Sequence, residues 1–352
     1  MITASDIRRH AEAMGFIACG VTDLAPNAHA AALDRWLLAG YGGTMRYIHR
    51  QAKKRKAPQL ADAEARSVVV VLENYSRDDR AGNAQPPKVA KYAWGRDYHQ
   101  TFGARLETLA GWLRERGAGH TRCYVDTGPL PERELARRAG LGWIGKNSML
   151  IRPGTGSFFF IGEILTDLVL EPDAPFETDH CGSCTRCIEA CPTGAIVEPR
   201  VVNATRCISY LTIEQKGPIP PELAPSLEGW AFGCDICNDV CPWNTRFAGQ
   251  GGRGGQGGQD GQVGNPLQPD LRSLDPGLRR GDDGGGHSRD ARLRGNDSGN
   301  PFDTMTESEF AERFEGTALM RPGLAGMRRN LAAVMHRDAP PPDGSRPATR
   351  DG

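Results

Sequence analysis

The chain has 352 residues, 43 basic and 43 acidic side chains, no formal net charge and ten cysteines. Balanced charge excludes a protein that coats nucleic acid through bulk electrostatics, so any nucleic-acid surface has to be a local patch, and the length allows a substantial core without disulfide staples. No run of 18 apolar residues occurs, the N-terminus lacks an apolar export segment, and eight of the ten cysteines fall between Cys181 and Cys241, which together predict a reducing, cytoplasmic protein away from membranes.

Helix and strand signals alternate up to about Leu170, the pattern of an α/β layer structure. "ASDIRRHAEAMGF" reads as a capped helix, "FIACGV" as a strand, "AALDRWLLAG" as a helix ending at Gly40 and "SVVVVLENY" as a buried strand. "GARLETLAGWLRERG" is amphipathic, "TRCYVDTG" is a strand, and "PERELARRAGLG" is a short helix with Pro131 at its start and Gly140 at its end. "SMLIRP" and "SFFFIGEILTDL" follow as strands, expected to pair antiparallel through "GTG". Between Ala248 and Pro301 there are 16 glycines and no aromatic residue, too little apolar surface to offset ordering entropy, so residues 248–301 are expected to be a disordered insertion. Periodicity returns in "ESEFAERFEGTALMRPGLAGMRRNLAAVMHR" as two short helices within 302–338, before a Pro-rich disordered tail over 339–352.

The segment "HCGSCTRCIEACP" packs Cys181, Cys184, Cys187 and Cys191 into eleven residues. Iron–sulfur clusters are held by four thiolates, and in the bacterial two-cluster spacing the fourth cysteine, before the proline, ligates the other cluster. "GCDICNDVCPW" supplies Cys234, Cys237 and Cys241, and Cys207 in "ATRCISYL" completes the second set. By this exchange one cluster takes Cys181, Cys184, Cys187 and Cys241, and the other takes Cys191, Cys207, Cys234 and Cys237. The alternatives for the same spacing are paired zinc sites or a disulfide framework. Cys19 and Cys123 read as buried small hydrophobes in strands.

Two clusters make an electron conduit without a substrate. Asp126 ends an apolar strand, where open sheets bind ligands, and is the candidate acid or base; the alternative is a carboxylate that only caps its turn. "GLGWIGKN" allows close backbone approach, with Lys146 and Asn147 as donors, but matches neither a Rossmann fingerprint nor a Walker motif. "DYHQTF" fails the Asp-x-His-x-x-Gly signature of cobalamin-dependent mutases because Phe102 replaces the glycine, and His99 reads as a satisfied surface histidine.

In order along the chain, "KYAWGRDYH", "VDTGPLPERELARRAGLGWIGKNSMLI", "GSFFFIGEILTDL", "CGSCTRCIEACPTGAIVEP", "RCISYLTIEQKGPIP", "GCDICNDVCPWN" and "FEGTALMRPGLAGMRRNLAAVM" resemble the epoxyqueuosine reductase family. The resemblance implies an α+β, α/β fold: a reductive-dehalogenase-like, cobalamin-binding domain over 1–170, a ferredoxin-like domain with two 4Fe–4S clusters over 171–247, and a short helical C-terminus. It implies base-off cobalamin, reduced by the nearer cluster, and reduction of epoxyqueuosine to queuosine at the wobble position of the tRNA anticodon loop. Asp126 matches the family's proton donor and lies among cobalamin contacts, as do Arg55, Asn147, Ser148, Ser209 and Asp235. The implied partners are tRNA and an external low-potential donor such as a flavodoxin or ferredoxin, with the chain a monomer. Arg321, Arg328, Arg329 and Lys216 are candidate phosphate contacts, and Tyr98, Trp143 and Tyr210 candidate stacking platforms. The alternative functions are a cobalamin and iron–sulfur reductase of a small molecule, of the reductive dehalogenase type, and a ferredoxin module paired with a structural α/β partner.

Overall fold

The computed structural model describes residues 2–76, 86–247 and 302–335. The expected disordered insertion at 248–301 and tail at 339–352 lie outside the described residues. In chain order, α1 (Ala4–Ala13) leads into β1 (Ala18–Thr22), α2 (Ala30–Leu38), α3 (Arg46–Lys56), β2 (Ser67–Asn74) and β3 (Lys88–Val89). Next come α4 (Tyr98–Arg114), β4 (Thr121–Val125), α5 (Glu132–Arg138), β5 (Trp143–Ile144), β6 (Leu150–Ile151) and β7 (Phe159–Thr166).

A four-stranded sheet of order β1-β2-β7-β4 organises this half, and all three of its pairings are antiparallel. Alternating helices and strands here therefore build an α+β layer, not the parallel sheet that alternation most often signals. Side chains of β2 are buried on both faces because each face is covered. Val69, Val71 and Ile164 pack with Ile7 and Ala11 of α1 and with Phe102, Leu106 and Leu113 of α4. Val68, Val70, Leu72 and Leu165 pack on the other face with Leu130 and with Leu135 and Ala136 of α5.

Two local expectations are corrected. α4 starts at Tyr98, five residues before the amphipathic stretch, because the Asp97 side chain accepts from the His99 N–H at 2.9 Å and caps the helix there. The strands at β6 and β7 are not sheet partners: β6 pairs with β5, and only an isolated Arg152–Gly156 bridge spans the "GTG" turn. Both hydrogen-bonding edges of β7 are already occupied, by β2 and β4.

The cysteine-rich part contains α6 (Arg186–Glu189), β8 (Ile196–Glu198) paired with β9 (Val201–Val202), α7 (Ile208–Ile213), β10 (Trp230–Phe232), α8 (Ile236–Asp239) and α9 (Pro242–Phe247). β10 runs parallel to β3, so the two halves share a small sheet. The last elements, α10 (Glu307–Phe314) and α11 (Gly323–Met335), are the two helices expected from the sequence, α10 opened by a Thr306–Glu309 capping box. Phe302, Phe310, Phe314 and Leu331 form one buried cluster with Val89, Trp94 and Phe232. Asn330, fully buried on α11, donates to the Thr212 and Ala231 carbonyls at 2.7 and 2.8 Å. This segment is core, not a detachable appendage. Among the described residues, no helix is long and apolar enough to cross a membrane.

Candidate cluster-binding and active site

All ten cysteines are free thiols. Cys19 is buried in β1, where burial pushes its thiol up to about 12, and Cys123 is half-buried in β4; both fit the expectation of inert strand residues. The other eight fall into two neighbourhoods. Cys187 feels the charge of Cys181, Cys241 and Cys184, and Cys241 that of Cys181 and Cys184. Cys234 faces Cys237 and Cys207; Cys237 faces Cys207 and Cys191, and also Cys187 of the first group. Burial, reinforced by these neighbours, raises the thiols of Cys187, Cys207, Cys234, Cys237 and Cys241 above the ordinary range. Buried thiols facing one another resist ionisation unless a cationic centre lies among them, and this donor set fits iron–sulfur ligation. Nitrogen donors also reach the sulfurs: Trp143 Nε1 lies 3.5 Å from Cys181 Sγ and the Ala195 amide 3.2 Å from Cys191 Sγ.

Asp126 directly follows β4 with φ at +59°, a left-handed conformation that a non-glycine residue adopts only when its surroundings impose it. Its side chain is 64% exposed. The Tyr98 hydroxyl donates to its Oδ2 at 2.9 Å, and His99 Nε2 stands 3.6 Å from the same oxygen. His99 Nδ1 lies 2.7 Å from Asp97 Oδ1, so the ring is held between two carboxylates. His99 is thus no mere surface histidine; the sequence signal for it is the "DYH" triplet, in which Asp97 both caps α4 and orients the ring. Partial burial pushes the Asp126 carboxyl up, but His99 and Tyr98 outweigh it and hold it below the ordinary carboxylate range. Asp126, and then Asp97, raise the imidazole pKa against the opposing effect of burial. The resting pair keeps its proton on His99.

Arg55, in the last turn of α3, donates to the Leu130 carbonyl at 2.8 Å and the Gly128 carbonyl at 3.0 Å, fixing the loop that carries Asp126, while its Nε is buried without a partner. A side chain at Gly128 would collide with the Tyr124 ring at 2.6 Å, so the loop needs glycine there. Ser148 has φ at +66° and a buried hydroxyl without a partner. Asn147 binds this glycine turn to the second group of thiols, donating to the Cys237 carbonyl at 3.2 Å. Asp235, buried beside Cys234, accepts from the Lys91 amide at 2.8 Å. Ser209 is half-buried, and its backbone N–H faces Cys207.

The comparisons with known proteins decide the family. Residues 55–127 match the model "Epoxyqueuosine reductase QueG, DUF1730", and residues 180–244 match the "4Fe-4S double cluster binding domain". The epoxyqueuosine reductase of Synechocystis sp. is 40% identical over 307 residues, covering 86% of this chain and 94% of that protein. The chain belongs to the epoxyqueuosine reductase family. It is therefore an oxidoreductase with a double-cluster binding domain. The crystal structure of an epoxyqueuosine reductase with an epoxyqueuosine-modified tRNA-Tyr stem loop superimposes with a TM-score of 0.72 at 29% identity, covering 94% of this chain and 80% of that one. The Bacillus subtilis epoxyqueuosine reductase with its catalytic aspartate loop swung out of the active site gives 0.71 at 28%, with the same coverage.

Several of the expected RNA contacts have partners within the chain. Arg329 donates to the Leu211, Gln215 and Gly217 carbonyls and Arg328 to those of Phe302, Asp303 and Met305, so both guanidiniums brace backbone. Arg321 pairs with Glu214 at 2.8 Å, and Lys216 is exposed. Trp143 and Tyr210 are core residues, the Tyr210 hydroxyl accepting from the Thr44 amide at 2.7 Å, and Tyr98 stacks on Phe160 at 4.4 Å. What sequence reading missed is α3: Arg46, Arg50, Lys53 and Lys54 recur at helical spacing on one exposed face, with no ion pair among the described residues.

Proposed function

We propose that the chain removes the epoxide oxygen of epoxyqueuosine at the wobble position of tRNA, giving queuosine in the last step of that nucleoside's synthesis. The observation that carries this reading is the Tyr98–His99–Asp126 constellation, a proton-sharing group at a strand end beside a turn bonded to the cysteine block. Cys181, Cys184, Cys187 and Cys241 hold one 4Fe–4S cluster, and Cys191, Cys207, Cys234 and Cys237 the other. Arg55, Asn147, Ser148, Ser209 and Asp235, together with Asp126, would hold cobalamin. The fit rests on Ser148 Oγ and Arg55 Nε, both buried without partners and so able to meet a polar ligand. Asn147 and Asp235 already have backbone partners. When bound, these groups supply low-potential electrons, drawn from an external ferredoxin- or flavodoxin-like donor, for breaking carbon–oxygen bonds.

The chain's own residues bind the RNA and manage the protons. Asp126 delivers a proton to the departing oxygen, His99 keeps that proton in reserve, and Tyr98 fixes the carboxylate. Arg55 anchors the loop from Gly128 to Leu130, which positions Asp126; the swung-out loop of the Bacillus subtilis relative supports the view that this loop moves during the cycle. A wobble base lies in a single-stranded loop and can be splayed into the site without breaking a duplex. The exposed stripe on α3, whose last turn carries Arg55, tracks the phosphates on either side. Residues 1–170 act as the substrate and cobalamin unit and residues 171–247 as the electron conduit.

The test incubates reduced, cobalamin-loaded protein with epoxyqueuosine-containing tRNA and digests the product to nucleosides for mass measurement. Loss of one oxygen mass is expected. Asp126→Asn should keep its iron and cobalamin yet lose turnover by about a hundredfold or more. An unchanged nucleoside, with all cofactors present and reducible, refutes the reading.

A further inference from the structure

Behind Asp126 lies a second group of carboxylates that this mechanism leaves unused. Glu163 sits in the middle of β7, in register with Val70 of β2 and Tyr124 of β4, with no solvent exposure. Neither of its carboxylate oxygens has a hydrogen-bond partner. Its strand parity places it on the sheet face covered by α5, and the first residue of α5 is Glu132, whose Oε1 is likewise buried without a partner. Glu163 faces Glu132, Asp126 and Arg55; Glu132 faces Asp126, Arg133 and Arg55, and the backbone N–H of Asp126 stabilises it.

Charge bookkeeping limits what this cluster can be. Three carboxylates share one enclosed guanidinium, whose Nη atoms are bonded to the Gly128 and Leu130 carbonyls. An isolated buried carboxylate is costly enough that it takes up a proton instead. Burial, with the charge of Asp126 added, pushes Glu132 up to about 8, and burial with Glu132 and Asp126 puts Glu163 well above the ordinary range.

The reaction requires more protons than the Asp126–His99 pair holds. Removing an epoxide oxygen breaks two C–O bonds, forms one C=C bond, takes two electrons from the low-potential donor and two protons, and releases one water. The first proton converts the epoxide oxygen to a hydroxyl as one C–O bond breaks, and the second converts that hydroxyl to water as the other breaks. We infer that Glu132 and Glu163 form an internal proton store that reloads Asp126 between these two events, so that a site closed over RNA needs no proton from bulk water. The inference rests on Asp126 being the donor. Glu132 and Glu163 act through Asp126 and do not touch the substrate.

The test uses full-length protein carrying its clusters and cobalamin, with Glu132→Gln, Glu163→Gln and the conservative Glu132→Asp. Each glutamine replaces a neutral acid with a neutral amide of the same shape. Infrared spectroscopy of the resting protein, which needs no turnover, should give protonated-carboxyl C=O absorption at pH 7 that Glu163→Gln and Glu132→Gln each reduce. In single turnover, wild-type rate should fall as pH rises through about 8, where the store empties. Glu132→Gln should lower kcat by about tenfold or more with KM for tRNA unchanged and should lack that alkaline limb, and Glu132→Asp should keep part of both. No protonated-carboxyl band in the wild type, or a Glu132→Gln variant with wild-type kcat and pH profile, overturns the store. If that happens while Asp126→Asn is inactive, the donor reading stands without it; an active Asp126→Asn removes the donor reading itself. If Glu163→Gln fails to fold, titration of the wild-type band decides, since a store must keep its band to at least pH 7.

Discussion

Replacing Arg50, Lys53 and Lys54 of α3 with alanine removes three exposed cations without touching the core, because none of the three is buried or ion-paired among the described residues. If each neutralises one phosphate, the slope of log Kobs against log salt becomes shallower by roughly 2 for single-stranded contacts and by nearly 3 for duplex contacts. Between 50 and 200 mM salt the wild type then loses about 20- to 40-fold more affinity than the variant. The assay is equilibrium binding of the tRNA anticodon stem loop at four or more salt concentrations, with Arg329→Ala as a second variant. Arg329 donates to three backbone carbonyls, and bonds from a charged group are worth about 1.5–3 kcal/mol each before discounting for its half-exposed position, so its loss should lower thermal stability by a few kcal/mol. It should leave the salt slope unchanged. The reverse pattern, with a full slope in the α3 variant and a shallower one in Arg329→Ala, would refute the placement of the RNA on α3 and return it to the C-terminal helix.

Cys207→Ala should strip one cluster and spare the other, leaving about four of about eight irons per chain by iron analysis; a full complement of iron would break the exchange of ligands between the two cysteine runs. Glu163→Gln should also flatten the pH dependence of stability. The folded carboxyl has a raised pKa, so between the ordinary carboxylate range and its shifted value the folded state binds a proton that the unfolded state does not, and stability falls as pH rises, by about 1.4 kcal/mol per pH unit for one such group. Chemical denaturation at pH 5, 6 and 7 should show this decline in the wild type and a shallower one in the variant; equal slopes would mean that Glu163 is already ionised.

The cysteines were legible because their information is local. Ligand spacing within "CGSCTRC" and "GCDIC" is set by a few residues of loop, and only Cys207 had to be assigned by completing a set of four. The position of Asp126 was legible for a similar reason, since a carboxylate at the end of an apolar strand is exposed to whatever lies beyond the sheet. What Arg328 and Arg329 bond to was not legible, because periodicity reports that a residue is on a helix and not what the facing backbone offers it. Arg328 and Arg329 meet open carbonyls of the chain after and before the glycine-rich stretch, which take up their N–H donors. The stretch that forms α3 carries few apolar residues to mark a helix, and only the fold puts Arg46, Arg50 and Lys54 on one side.

Glu163 was hidden for the opposite reason. A single carboxylate inside "SFFFIGEILTDL" is compatible with an edge strand that exposes alternate residues, and nothing local says otherwise. Its significance depends on β7 being a central strand with α5 laid across that face, which is a property of the whole sheet order. Once the strand is central, the choices for Glu163 narrow to a buried ion pair or a protonated acid. The nearest cation, Arg55, is engaged with the Asp126 loop, and neither Glu163 oxygen finds a donor. The acid form is what remains, and its distance from solvent makes the neighbouring carboxyls Glu132 and Asp126 its natural outlet. Because Arg55 holds the loop that carries Asp126, moving that loop would alter the charge balance of the buried pair; loop position and proton supply are therefore linked through one guanidinium. Arg55→Lys, which keeps the charge but loses the two-carbonyl grip, should shift the alkaline limb of turnover as well as slow it, whereas a residue that only braced the loop would slow it at every pH alike.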